Sequence, residues 1–245
     1  MIKKILQTKQ GKKIYVEDIN KEVHTKYGLV KAVDMQEAKD GSTVFSNRHE
    51  ECYVYSPSFI DQYKRMKRLA QIMTLKDICY IIALTGVGKE SKVVEAGAGS
   101  GAVSTWLARY VKKVYSYENN EDNLLIAKEN IKRLGFKNIE LKKGDVYEKI
   151  EAKNTDLVIF DLPEPWRAIE NAAKSLKVGG FLVSYSPNLT SALDFNNALE
   201  KNNKFFRIKT AEIVEHEYEV IERKCRPKSK VMHTGFMTLA RKIKK

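Results

Sequence analysis

The chain has 245 residues, 43% of them hydrophobic and 31% charged, a composition that supports a sizeable core and excludes a disordered polymer. No stretch approaches the ~20 apolar residues of a spanning helix, and Met1–Gln7 lacks the long apolar run and small-residue cleavage site of a secretory leader, so a cytoplasmic protein without a membrane partner is expected. The formal net charge of +13 and a pI near 9.4 favour a polyanionic partner, nucleic acid first. Three scattered cysteines (Cys52, Cys79, Cys225) and four separated histidines exclude a disulfide framework and predict no metal site.

In chain order, residues 1–58 read as a small β domain. Short apolar runs at Lys13–Val16, Gly28–Val30, Ser42–Phe45 and Glu51–Tyr55 are separated by Gly, Asn, Asp and Lys. Residues 59–91 read as a helical linker: Ser58 caps a helix reaching about Leu69, and a second helix runs from about Asp77 to Leu84, before Gly86-Val87-Gly88. From residue 92 to 245 strand and helix alternate. Val93–Ala96 is a strand, Ala102–Tyr110 a helix, Lys113–Tyr117 a strand, Asn123–Leu134 a helix stopped by Gly135, and Ile139–Leu141 a strand. Asp156–Phe160, nearly all apolar, is a central strand; a helix over Arg167–Leu176 closes at Gly179-Gly180, and Phe181–Tyr185 is the next strand. Phe205–Lys242 holds two strand-like runs that suit an antiparallel edge. Such alternation predicts an α/β fold with a parallel sheet covered by helices on both faces.

The most informative stretch is Glu95-Ala96-Gly97-Ala98-Gly99-Ser100-Gly101-Ala102-Val103, between the first strand of this region and its helix. Ligands of such sheets bind at the carboxyl ends of the strands. A dinucleotide site reads Gly-x-Gly-x-x-Gly and leaves room for a pyrophosphate. Here the spacing is Gly-x-Gly-x-Gly after an acid, which points to a ligand with no phosphate and a positive end, as in S-adenosylmethionine. Glu118 follows the second strand, where a carboxylate accepts from both ribose hydroxyls; Asn123 opens the next helix; Gly144-Asp145 follows the third strand, where Asp145 accepts from an adenine amino group. Taken singly, each acid also reads as a surface residue at a strand end, and the turn as a structural loop. In register, they resemble the cofactor motifs of the class I methyltransferases. The resemblance implies a Rossmann-like domain with a seven-stranded, mostly parallel sheet.

After the central strand comes Asp161-Leu162-Pro163-Glu164-Pro165-Trp166. Two prolines hold this turn extended at little entropic cost and fix Asp161 at the sheet edge. The plain reading is a capping acid and a core Trp. The motif is also similar to the catalytic motif of the tRNA adenine-N1-methyltransferases that act on adenine 57 or 58 of the T loop. Lys67-Arg68-Leu69-Ala70-Gln71-Ile72 with Lys76-Asp77, and Arg226-Pro227 with His233-Thr234-Gly235-Phe236, resemble further signatures of that family, and the resemblance spans essentially the whole chain. Two departures stand out. Thr74-Leu75 replace an aromatic or His followed by Pro, and Ser191 replaces a Gln a few residues beyond Ser184-Tyr185-Ser186-Pro187-Asn188.

The resemblance implies S-adenosylmethionine as cofactor, tRNA as partner and a homotetramer. Asp161 is the expected catalytic group, and it borders the cofactor as well; Pro163, Trp166, Tyr185, Arg226 and His233 are expected on the substrate side. Tyr185, Trp166 and Tyr117 are candidate stacking surfaces or plain core. Two basic clusters, Lys64–Arg68 and the run Arg223, Lys224, Arg226, Lys228, Lys230, Arg241, Lys242, Lys244, Lys245, are expected to meet phosphates. Two alternatives share the glycine turn: a methyltransferase for small corrin-type molecules or isoaspartyl protein, and a non-catalytic RNA-binding subunit.

Overall fold

The computed structural model describes residues 1–69, 71–228 and 233–245. Ala70 and Lys230, named above, lie outside the described residues. The chain divides into two compact units, 1–66 and 67–245.

The first unit contains β1 (Lys4–Thr8), β2 (Lys13–Val16), β3 (Val23–Thr25), β4 (Gly28–Val30), α1 (Ala32–Glu37), β5 (Thr43–Phe45), β6 (Glu51–Tyr55) and α2 (Phe59–Lys64). Four strands form an antiparallel sheet in the order β2-β1-β6-β5, and β3-β4 is a separate hairpin. Period-2 alternation puts Leu6, Val16, Val44, Cys52 and Val54 into one core with Val30 and Met35. Lys4 Nζ donates to the Met35 and Ala38 carbonyls and so satisfies the end of α1. Ser58 is the N-cap of α2, with Asp61 accepting from its backbone N–H at 3.0 Å. The helix ends at Lys64, five residues short of the Leu69 expected from sequence.

The second unit holds α3 (Leu75–Thr85), β7 (Lys92–Ala96), α4 (Ala102–Leu107), β8 (Lys113–Glu118), α5 (Glu121–Leu134), β9 (Ile139–Lys143) and β10 (Thr155–Phe160). These are followed by a 3-10 turn (Pro165–Ala168), α6 (Ile169–Ser175), β11 (Leu176–Ser186), α7 (Leu189–Lys201), β12 (Phe205–Glu212), β13 (Tyr218–Ile221), β14 (Lys224–Pro227) and β15 (Phe236–Lys242). Seven strands form one sheet, β12-β15-β11-β10-β7-β8-β9. Pairings are parallel from β11 through β9, and β15 runs antiparallel to both neighbours. Chain order reverses between β7 and β10, the switch point where such sheets open a crevice. Leu157, Val158, Ile159 and Phe160 are wholly buried, as a strand covered on both faces requires.

Three expectations are corrected. The helix over Arg167–Leu176 is shorter, because Pro165 starts a 3-10 turn and the backbone is already extended at Leu176. Gly179-Gly180 lie inside β11 rather than closing that helix: Leu176 pairs with Thr155, the register shifts, and pairing resumes at Phe181 with Leu157. The last segment contains four described strands instead of two, with β13-β14 forming a ribbon of its own. A further helix, α7, was not foreseen. Its signals were present: Asn188 caps it by accepting from Ser191 N–H at 2.8 Å, and Ala192, Phe195 and Leu199 form its buried stripe.

Candidate functional site

The turn from β7 to α4 is bent by three residues with left-handed φ, Gly97 (90°), Gly99 (53°) and Gly101 (77°). Gly97 has a second requirement: a Cβ there would overlap the carbonyl oxygen of Asp161. Only a glycine lets the β7 turn lie against the loop after β10, and Asp161 N–H donates to Ala96 O at 2.9 Å across the same seam.

Beside this turn is a cleft of about 360 Å³, within the range of small-molecule sites. Its walls include Gly97, Gly99, Glu118, Asn123, Gly144, Asp145, Asp161 and Pro163, which brings together eight positions read from sequence. Glu118 is buried and held by three backbone donors: Gly99 N at 2.7 Å, Asn119 N at 3.0 Å and Asn120 N at 2.9 Å. Asp145 accepts from Tyr147 N at 2.8 Å. Tyr117 lies under Gly144, with its hydroxyl accepting from Glu151 N at 3.1 Å. Among the described residues the walls carry three carboxylates and no Lys, Arg or His. Such a set of acceptors suits a cationic ligand without phosphate.

Glu95, Ser100, Gly101, Ala102 and Val103 are buried behind that wall. Glu95 sits in β7, accepting from Ser116 Oγ at 2.7 Å, and its burial pushes the carboxyl up to about 7. Asp161, by contrast, has no hydrogen bond to its carboxylate among the described residues, and desolvation alone raises it to about 6. The loop carrying it is braced by Tyr147, whose hydroxyl accepts from Glu164 N at 3.1 Å and whose ring lies 4.7 Å from the Arg167 guanidinium. Trp166 packs against the main core cluster. Asn119, Asn120 and Tyr147, which were not singled out from sequence, also line the cleft, as does Gln71 of the Lys67–Ile72 signature. They sit in loops, where only three-dimensional closure reveals them; the one local signal was Asn120, which caps α5 by accepting from Asn123 N at 3.0 Å.

The remaining expected substrate residues do not line that cleft. Tyr185 is buried at the end of β11, its ring covered by Gly235 and its hydroxyl donating to Asp77 at 3.2 Å. His233 is exposed, with Nδ1 2.5 Å from Glu212 Oε1 and Nε2 2.7 Å from Pro187 O. The Pro187 carbonyl and then Glu212 raise its pKa. Arg226 lines a second, larger cleft of about 1080 Å³ with Thr74, Leu75, Lys76 and Thr234, and pairs with Glu219 at 2.6 Å. Four cations of the basic tail, Arg226 among them, have partners within the chain. Lys228 pairs with Glu217, Arg241 stacks on Phe181 and donates to Gly179 O, and buried Lys242 donates to the Ala173 and Leu176 carbonyls. Acids across the β13-β14 ribbon and more distant backbone carbonyls engage these four.

The strand order, the reversal at β7/β10 and an acid-lined cleft over a Gly-x-Gly-x-Gly turn define a class I, Rossmann-like methyltransferase fold. A solved SAM-dependent O-methyltransferase from Thermotoga maritima matches it with a TM-score of 0.91, at 27% identity, over 100% of this chain and 94% of that one. The model of the family described as "tRNA methyltransferase complex GCD14 subunit" matches residues 63–234, and the chain belongs to that family. Among its relatives is the tRNA (adenine(57)-N(1)/adenine(58)-N(1))-methyltransferase TrmI of Methanocaldococcus jannaschii, 33% identical over 97% of this chain and 94% of its own length. The tRNA (adenine(58)-N(1))-methyltransferase TrmI of Thermus thermophilus is 33% identical over 90% of this chain and 89% of its own.

Proposed function

We propose that this protein uses S-adenosylmethionine to methylate N1 of adenine in the T loop of tRNA, at position 57, 58 or both. The observation that carries the reading is the cleft whose walls hold Glu118, Asp145 and Asp161 and no described cation, in a chain that aligns nearly end to end with the M. jannaschii enzyme. In this reading Glu118 takes the ribose hydroxyls, Asp145 the adenine amino group, and the backbone of Gly97 and Gly99 allows close approach. The bound cofactor supplies an electrophilic methyl group on a cationic sulfonium.

The adenine N1 lone pair lies in the ring plane, so the base must present its edge to the methyl group at near-attack distance. Asp161 accepts a hydrogen bond from the exocyclic amino group, orients that edge and offsets the positive charge that develops on the base. A carboxyl raised to about 6 is still ionised at neutral pH, and with no hydrogen-bond partner among the described residues it is available to the base. The N1 edge is normally engaged in RNA, so the base is drawn out at a cost of roughly a few kcal/mol. RNA binding, a homotetrameric assembly and action in the cytoplasm belong to the same reading.

The test is incubation with methyl-labelled cofactor and unmodified tRNA, followed by digestion. Labelled N1-methyladenosine from the T loop is expected. Label in another nucleoside, or in protein and not RNA, would overturn the assignment.

A further inference from the structure

The second unit carries a buried polar cluster that the chemistry above does not use. Asp77, in the first turn of α3, is wholly buried, and both its oxygens are engaged. Oδ1 accepts from Lys76 Nζ at 2.8 Å; Oδ2 accepts from Thr74 Oγ1 at 2.8 Å and from the Tyr185 hydroxyl at 3.2 Å. Lys76 Nζ also donates to Ile213 O and Thr234 Oγ1, each at 2.6 Å. One ion pair thus ties α3 to the end of β11, to the segment after β12 and to the approach to β15. A fold does not need such a pair for stability, because replacing it by apolar residues is often neutral or favourable.

Its location suggests another reason. Parallel pairing sets Phe160 opposite Ser184, so Asp161 and Tyr185 are the next residues outward on adjacent strands. Tyr185 is held on one side by Gly235, where a Cβ would overlap its ring, and on another by Asp77. Thr74, Lys76 and Thr234 face the larger cleft, whereas Asp161 faces the cofactor cleft. The cluster therefore spans from one cleft to the residue beside the reacting carboxylate.

We propose that Asp77 is a positioning residue for methyl transfer: through Tyr185 and Lys76 it sets the wall against which the acceptor base is placed for Asp161. The proposal rests on the reading of the protein as an RNA methyltransferase. Its test uses the full chain carrying Tyr185→Phe, Asp77→Asn or both, with steady-state kinetics on unmodified tRNA and calorimetry of S-adenosylmethionine binding.

Tyr185→Phe is expected to lower kcat/KM for tRNA about tenfold, the scale of one hydrogen bond to a charged group. Asp77→Asn is expected to lower it on the order of 10²-fold, as a small misplacement can. The double variant should match Asp77→Asn within about twofold, since coupled residues are not additive, and cofactor affinity should hold throughout. Three results would overturn the proposal: wild-type kcat and tRNA KM in Tyr185→Phe, losses that multiply in the double variant, or cofactor affinity falling in step with transfer. Should Asp77→Asn not fold, Tyr185→Phe decides alone. Absence of transfer by the unaltered protein would remove the functional reading itself and this placement with it, whereas wild-type kinetics in the variants remove the placement only.

Discussion

Glu118 and Asp161 face one cleft from opposite sides of the strand reversal, yet they are held in contrary ways. Glu118, at the end of β8, is clasped by three backbone N–H groups. Asp161, after β10, has none to its carboxylate among the described residues and is pushed up to about 6 by burial. A carboxylate fixed by three backbone donors is rigid, keeps acceptor capacity for a ligand hydroxyl, and suits a ligand bound the same way in every cycle. One that is desolvated and unpaired is costly unless a partner arrives, which suits a group whose partner is the acceptor. In the proposed reading the first wall holds the cofactor and the second handles the base.

The sharpest way to break this contrast is to force the walls apart. Gly97→Ala places a methyl against the Asp161 carbonyl at a φ of 90°; strain of about 1–3 kcal/mol from the dihedral alone, with the overlap added, is expected to cut S-adenosylmethionine affinity by 10²-fold or more, read by calorimetry. Next comes Glu118→Gln, which loses the charge but not the shape of the clasped side: cofactor affinity falls about tenfold, while kcat at saturating cofactor changes little.

The opposite wall is probed by pH. Because burial raises the Asp161 carboxyl, it takes up a proton as pH falls through about 6, well above the ordinary range. The pH profile of kcat/KM should therefore bend near 6 and lose about tenfold per unit below it; a bend near 4 would mean that the carboxylate is not desolvated. The smallest effect on chemistry is expected far from both walls. Lys242→Met removes the donors to the Ala173 and Leu176 carbonyls at the end of α6, which should lower unfolding free energy by about 1–3 kcal/mol in denaturant titration with transfer at moderate temperature unchanged.

The two walls also differed in how far they could be read ahead of the fold. Gly97, Gly99, Glu118 and Asp145 were legible because each lies within a few residues of a strand end, and the spacing of glycines and acids survives in a one-dimensional pattern. Asp161 was legible for the same reason, flanked by prolines. The pairings beyond it were not, although Tyr185, Asp77 and Thr234 were each named. Tyr185 meets Asp77 across 108 residues and Lys76 meets Thr234 across 158, and no local period encodes such pairs. The tail is a related case: charge counting cannot see that Arg226, Lys228 and Lys242 find partners in space. Strand positions along β7, β8 and β10 followed from apolar runs, whereas the early start of β11 depends on a register shift against β10, a property of the pair and not of either strand.

In this reading the acceptor base is the partner that the Asp161 carboxylate lacks among the described residues. Single-turnover methylation of tRNA by Asp161→Asn, at saturating cofactor, tests this most directly. The expected result is a rate lower by on the order of 10²–10³-fold with cofactor affinity intact by calorimetry; an Asn variant that transfers methyl at the wild-type rate would contradict it.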